Sequence, residues 1–325
     1  MTSSEHPGNQ PMSPRPTLAG HMAIMRIDHW FKNIFVVPGI LVALTTPGEI
    51  DPGRLALRIA LGMLAICFVC SSNYIINEVY DAPFDRHHPE KRRRPVPSGL
   101  VSIPLAYFQW LLLLGLSLAI ALWVSPSFAV VVGSLWGMGC IYNIPPIRSK
   151  DRAYLDVLSE AINNPIRMLA GWLIVGPDAV TPASLLLSYW MTGCYFMAIK
   201  RFAEYRHLAD DNLAATYRRS FARYSETHLL TSIMFYASAA MLFFGLFAMR
   251  YRLELVISFP LIALAMAVYL NLGLRPNSPT QYPESLYREP TLMWTCVACT
   301  IVTIFCLYID MPWLDRLVTP LAPTR

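Results

Sequence analysis

Between Asn73 and Gly99 an apolar helix runs into a row of acids and then a basic run, NYIINEVYDAPFDRHHPEKRRRPVPSG. Asn73, Asn77, Asp81 and Asp85 recur every four residues, so they drift slowly around one side of a helix as they step towards its end. Asn77, Glu78, Asp81 and Asp85 offer hard oxygen ligands of the kind Mg²⁺ accepts, and Mg²⁺ in turn bridges to substrate phosphates. Lys91 and Arg94, within the run Lys91-Arg92-Arg93-Arg94, supply cations for phosphate charge that remains. Acidic side chains are costly beside hydrocarbon, and a set of them at the mouth of an apolar helix points to function. Pro83 is expected to end or kink this helix and let Asp85 turn back towards Asp81. His87 and His88 lack helical ligand spacing and read as solvated loop residues.

A second constellation follows. Asp156, Glu160, Asn163 and Arg167 are spaced by four, three and four residues, one face of an α-helix. Such a stripe must face the protein interior, and Asp156 with Glu160 reads as a second metal or phosphate site. Arg167 either pairs with Glu160 or binds a substrate anion, and Asn164 before Pro165 marks a kink. The loop YNIPPIRSKDRAY brings Tyr142, Arg148, Lys150 and Asp151 to the same end. A further helix finishes with Tyr195, Lys200, Arg201 and Glu204 at its polar boundary.

The elements that must position these residues are set by composition. With 55% hydrophobic and 14% charged residues, the chain lies outside the range of soluble globular domains and inside that of polytopic membrane proteins. Apolar runs fall at 31–48, 55–80, 103–124, 127–144, 153–175, 183–203, 228–249, 253–273 and 291–309, which predicts nine transmembrane helices in an all-α bundle. With the N-terminus inside, 19 of the 26 Lys and Arg residues fall on inner segments and six on outer ones, so the positive-inside rule supports that count and orientation. The long polar loops, and hence a polar cavity, then face the cytoplasm. Residues 1–21 read as a flexible polar tail, 22–312 as one catalytic domain and 313–325 as a short C-terminal tail. The seven cysteines all sit in apolar stretches and read as core filler, in spite of two C-x-x-C spacings at 67/70 and 296/299. A net charge of +5 suits an anionic leaflet and does not argue for nucleic acid.

The run Asn77-Glu78-x-x-Asp81-x-x-x-Asp85-Arg86, followed by Lys91-Arg-x-Arg94-Pro95 and Gly99, resembles the first signature of the UbiA superfamily of intramembrane prenyltransferases. His29 to Asn33, which includes Lys32, resembles that family's entry segment. Glu78 departs from the usual Asp. Aromatic prenyltransferases of the superfamily carry a second aspartate-rich segment after the sixth helix, where this chain has Lys200-Arg201-Phe-Ala-Glu204. The pattern is more similar to the branch that transfers 5-phosphoribose to a polyprenyl phosphate, the decaprenyl-phosphate phosphoribosyltransferases.

That resemblance implies a bacterial inner-membrane transferase with phosphoribosyl diphosphate as donor, a polyprenyl phosphate as acceptor, Mg²⁺ as cofactor and lipid-linked D-arabinose as the direction of travel. In this reading Asn77, Glu78, Asp81, Asp85, Asp156 and Glu160 hold metal, and Asp81, Asp85 and Lys200 are catalytic. Lys32, Asn73, Lys91, Arg94, Tyr142, Arg148, Lys150, Asn163, Arg167, Tyr195, Arg201 and Glu204 bind substrate. Two other readings use the same residues: a prenyl diphosphate donor with an aromatic or other small acceptor, and a membrane transporter.

Overall fold

The computed structural model describes residues 15–46, 51–86, 91–176, 180–208 and 219–314. His87, His88 and most of both tails lie outside these residues. Among the described residues the chain is helical throughout, with no strand. The helices are α1 (Leu18–Ala23), α2 (Val37–Ala43), α3 (Pro52–Asp85), α4 (Ile103–Val124), α5 (Pro126–Asn143), α6 (Leu155–Ala161), α7 (Asn163–Val175), α8 (Ala183–His207), α9 (Glu226–Tyr251), α10 (Phe259–Leu274) and α11 (Pro290–Tyr308).

Among the described residues, five helical stretches are long and apolar enough to cross a membrane: Pro52–Asp85, Ile103–Val124, Glu226–Tyr251, Leu253–Leu274 and Pro290–Tyr308. Several present large apolar side chains outward, among them Phe108 and Leu111 on α4, Met234 and Phe235 on α9, and Trp294 and Ile301 on α11. In water such faces would cost solubility, whereas hydrocarbon accepts them. The first expected span is built differently, as a 3₁₀ segment (Ile27–Val36) running into α2. It docks on α7 through two glycines. A Cβ on Gly39 would stand 1.8 Å from the Met168 carbonyl oxygen, and one on Gly171 would stand 2.1 Å from that of Val36. Small residues at helix crossings are the usual means of close approach in membranes.

Three expectations are corrected. Pro83, expected to end or kink α3, does not end it; the helix continues to Asp85, and the next helical bond, from Arg86 N–H to the Ala82 carbonyl, still forms. The tail expected to reach residue 21 becomes helix at Leu18, capped by Thr17. His21 is buried there, with Nε2 accepting from Ser102 N–H and Nδ1 donating to Gln109 Oε1. The span expected over 153–175, with a kink marked at Asn164-Pro165, is two helices, α6 and α7, meeting at Ile162, because Pro165 cannot donate to the carbonyl four residues back.

Packing places the polar ends together. Helix α3 lies against α4, α5 and α7, while α8 lies along α9 and also contacts α6, α7 and α10. Two apolar clusters carry this arrangement, one around Ile66, Phe128, Val132 and Ile174, the other around Ile199, Phe202, Leu229 and Ile233.

Candidate functional site

The end of α3 splits into two sides. On one, Asn77 Nδ2 donates to Asn143 Oδ1 at 2.5 Å, and Asp81 Oδ1 accepts from Lys150 Nζ at 2.5 Å and from Arg148 Nη2 at 2.9 Å. Lys150 Nζ also donates to Asn143 Oδ1 at 2.8 Å, and Arg148 Nε to Asp151 Oδ2 at 3.0 Å. Arg148 takes the left-handed backbone conformation, φ +32°. That costs a non-glycine residue about 1–2 kcal/mol, against which its guanidinium gains bonds to Asp81, Asp151 and the Asn143 carbonyl.

On the other side, Asp85 Oδ2 accepts from Arg94 Nη1 at 2.6 Å. Glu78 is fully buried and accepts from Arg26 Nη2 at 3.2 Å and from the Val96 amide at 3.0 Å. Both of its oxygens are therefore committed to holding the N-terminal segment and the 94–96 turn. Lys91 lies half-buried on the adjoining 3₁₀ turn Lys91–Arg93.

The second constellation divides. Asp156 is fully buried and accepts side-chain bonds from Arg201 Nε at 3.2 Å, Ser220 Oγ at 3.1 Å and Tyr224 Oη at 2.8 Å. Arg201 also donates to Glu204 Oε2 at 2.9 Å. Burial and the Asp156 charge push the Tyr224 hydroxyl well up from its ordinary value, so it remains a proton donor to that carboxylate. This cluster is a buried ion network joining α6, α8 and the segment Arg219–Arg223. The sequence reading assigned metal to Asp156 and substrate to Arg201 and Glu204, whereas the geometry gives all three internal partners.

Arg167 takes a third direction. Its Nε donates to Asn33 Oδ1 at 3.3 Å and its Nη2 to Cys70 Sγ at 3.4 Å. Glu160 acts on Arg167 and Arg201 through its charge, without forming an ion pair with Arg167 among the described residues. Asn163 Nδ2 caps the Glu160 carbonyl, and its buried Oδ1 has no hydrogen-bond partner. Asn73 Nδ2 donates to the Leu135 carbonyl, and Tyr195 Oη to the Met266 carbonyl, so both tie helices together. Tyr142 lies under Lys150, whose Nζ is 5.8 Å from the ring centroid. Lys32 is half-buried beside the Phe31 ring, and Lys200 half-buried near the end of α8.

Sequence reasoning missed Arg26, Asn143, Ser220 and Tyr224. Asn143 was the most accessible, as the last residue of α5 beside a loop already singled out.

Among the described residues no three His, Cys, Asp or Glu side chains are arranged to hold a metal ion. The donor set that fits is mixed. Asn77 Oδ1, Asp81 Oδ2 and Asp85 Oδ1 form no hydrogen bond among the described residues, leaving three hard oxygens within about two turns of one helix.

The chain is similar to several known proteins. The decaprenyl-phosphate phosphoribosyltransferase of Mycolicibacterium smegmatis is 30% identical over 241 residues, covering 72% of each chain. That of Mycobacterium tuberculosis is 30% identical over 237 residues, 72% of this chain and 76% of the other. A UbiA homologue from Archaeoglobus fulgidus, solved with DMAPP and Mg²⁺, superimposes with a TM-score of 0.67 at 17% identity over 90% of this chain and 100% of that one. Residues 33–287 match the UbiA prenyltransferase family, and the chain belongs to that family.

Proposed function

We propose that this transferase moves 5-phosphoribose from phosphoribosyl diphosphate to a polyprenyl phosphate and releases diphosphate. The observation that carries the reading is the array at the end of α3, where Asp81 and Asp85 are each already paired with cations, Lys150, Arg148 and Arg94. Two carboxylates a turn apart, Asp81 in direct contact with Lys150 and Arg148 and Asp85 with Arg94, suit a diphosphate that arrives with a divalent metal. The carboxylates can turn to the metal and the cations to phosphate oxygens. The choice of donor is supported by the two mycobacterial relatives and by the Lys200-Arg201-Phe202-Ala203-Glu204 segment.

In this reading Asn77, Asp81 and Asp85 hold Mg²⁺. The bound ion supplies Lewis-acid neutralisation of charge that develops on the leaving diphosphate. Lys150, Arg148 and Arg94 orient the diphosphate and stabilise the same charge from preorganised positions. Departure of diphosphate leaves the ribosyl carbon electron-poor, and an oxygen of the acceptor phosphate attacks it. That oxygen is already anionic, so the chain needs no strong general base. Glu78 fixes the 94–96 turn that presents Arg94.

The same reading has nine membrane-crossing segments in an inner membrane, the N-terminus and the α3 site on the cytoplasmic side, and catalysis confined to 22–312. A prenyl diphosphate donor is the second reading, supported by the superposition on the archaeal homologue. The experiment that separates them uses purified protein, Mg²⁺, polyprenyl phosphate and labelled phosphoribosyl diphosphate, with EDTA as control. Mg²⁺-dependent movement of label into organic solvent is expected. Label moving only from a prenyl diphosphate to a small acceptor would overturn the donor assignment and retain the family chemistry.

A further inference from the structure

A cavity of about 530 Å³ opens beside the α3 site, lined by Arg152, Arg219, Arg223 and Asp151 together with Ala153, Leu155 and Ala222. Its volume falls within the range of small-molecule sites. Three arginines face one carboxylate, and that carboxylate is shared: Asp151 accepts from Arg148 at 3.0 Å, outside the lining, and lies 3.6 Å from Arg219 within it. The cavity therefore carries an excess of positive charge.

It also shares a wall with the diphosphate-binding residues. Arg148 bonds Asp81 on one side and Asp151 on the other. Phe84, between Asp81 and Asp85 on α3, lies 5.4 Å from the Arg148 guanidinium and 5.0 Å from that of Arg219, measured to the ring centroid.

The position of Arg219 and Arg223 is built in. They occupy a 3₁₀ segment whose Ser220 donates to buried Asp156 and whose Phe221 is buried; the neighbouring Tyr224 donates to the same carboxylate. Asp156, fully buried, thus acts as a positioning residue for a pair of exposed arginines.

We propose that this cavity binds a phosphate monoester through Arg152, Arg219 and Arg223, and that the monoester is the 5-phosphate of the donor, an inference that rests on the phosphoribosyl reading above. A phosphoribosyl diphosphate is charged at both ends of the sugar, and a site for it needs a second anion pocket next to the diphosphate pocket. A prenyl diphosphate has an apolar tail there, which would strip water from three arginines without pairing them. The acceptor lipid also ends in a phosphate monoester. The cavity lies between connecting segments, residues 151–155 and 219–223, with Arg152, Ala222 and Arg223 exposed, which favours the water-soluble partner.

The test uses the full chain in detergent and reads the wild type first. Transfer from phosphoribosyl diphosphate by the wild type upholds the functional reading; no transfer from it, with activity on a prenyl diphosphate, removes that reading and this inference with it. Given transfer, the variants Arg219→Ala/Arg223→Ala and Arg219→Lys/Arg223→Lys are compared for KM of each substrate and for inhibition by ribose 5-phosphate and by pyrophosphate. Loss of two charge-assisted phosphate contacts is expected to raise the donor KM about 10- to 100-fold and weaken ribose 5-phosphate inhibition by a similar factor. Pyrophosphate inhibition and the acceptor KM should move by less than about twofold, and the Lys variant should recover part of the loss. An unchanged donor KM with unchanged ribose 5-phosphate inhibition would overturn the proposal. A rise confined to the acceptor KM would assign the cavity to the lipid phosphate and overturn the donor assignment.

Discussion

Replacing Asp81 by Asn removes one charge from the centre of the α3 array while keeping side-chain size. Asp81 Oδ1 is shared by Lys150 and Arg148, whose side chains are only 9% and 11% exposed, against 21% for Asp81 itself. Removing one partner of a buried ion pair costs about 3–5 kcal/mol. Here the site is partly open to water, Arg148 keeps Asp151, and Lys150 keeps Asn143 Oδ1. The expected loss of stability is therefore lower, about 1–2 kcal/mol, or a few degrees in Tm. The loss of activity should be larger, since removing one preorganised electrostatic group at a reacting centre lowers kcat by about 10²–10³. The two effects separate in a double variant. Asp81→Asn with Lys150→Met removes the stranded cation, so part of the stability should return while the transfer rate stays low. The assay is the two-phase transfer of label at saturating Mg²⁺, beside thermal unfolding in the same detergent. Turnover near wild type in Asp81→Asn would refute the placement of chemistry at the end of α3.

Glu78→Gln should behave oppositely, lowering Tm by an amount that reflects about 2–3 kcal/mol, because a buried charge-assisted site for Arg26 and the Val96 amide is lost. Its Mg²⁺ titration of residual activity should overlay the wild type, and a raised Mg²⁺ requirement would return Glu78 to the metal. Tyr224→Phe deletes one side-chain bond to Asp156 and should cost about 1–1.5 kcal/mol by thermal unfolding, whereas Asp156→Asn should be several-fold worse by removing a buried charge that pairs with Arg201. Equal effects from the two would contradict the ion-network role. Gly39→Ala forces a methyl into the Met168 carbonyl and should prevent recovery of monodisperse protein, an outcome read directly by size-exclusion chromatography.

The sequence made α3 and its polar end legible because apolar length and i, i+4 spacing are local properties. Asn77 and Asp81 do share a side, meeting Asn143 and Lys150. Glu78 is only one residue from Asn77 but about 100° away around the helix, and its partners Arg26 and Val96 come from distant segments. Spacing marked it as acidic and adjacent, but the side it serves depends on how the 94–96 turn and the N-terminal segment pack. Tyr195 was misleading for a similar reason. A tyrosine near a helix's polar end looks available for substrate, but whether a neighbouring carbonyl, here that of Met266, claims its hydroxyl is a tertiary matter.

The polar stripe of Asp156, Glu160, Asn163 and Arg167 gives the strongest lesson about periodicity. Four residues at helical spacing lie on one face only while the helix is continuous, and the clue that it is not, Pro165, was in the sequence as well. Asp156 and Arg167 also lie eleven residues apart, about 16 Å along a helix, so Asp156 serves Arg201, Ser220 and Tyr224 while Arg167 serves Asn33 and Cys70. The acid expected to be a second metal ligand instead fixes the segment that carries Arg219 and Arg223. One buried carboxylate with these donors is electrostatically closed, and closure of that kind suits a hinge point of structure better than a ligand that must exchange partners during turnover. Asp81 and Asp85 meet the opposite requirement, since each retains an oxygen outside its ion pair. Satisfaction, more than charge or spacing, separates the carboxylates that can work from those that hold the site in place.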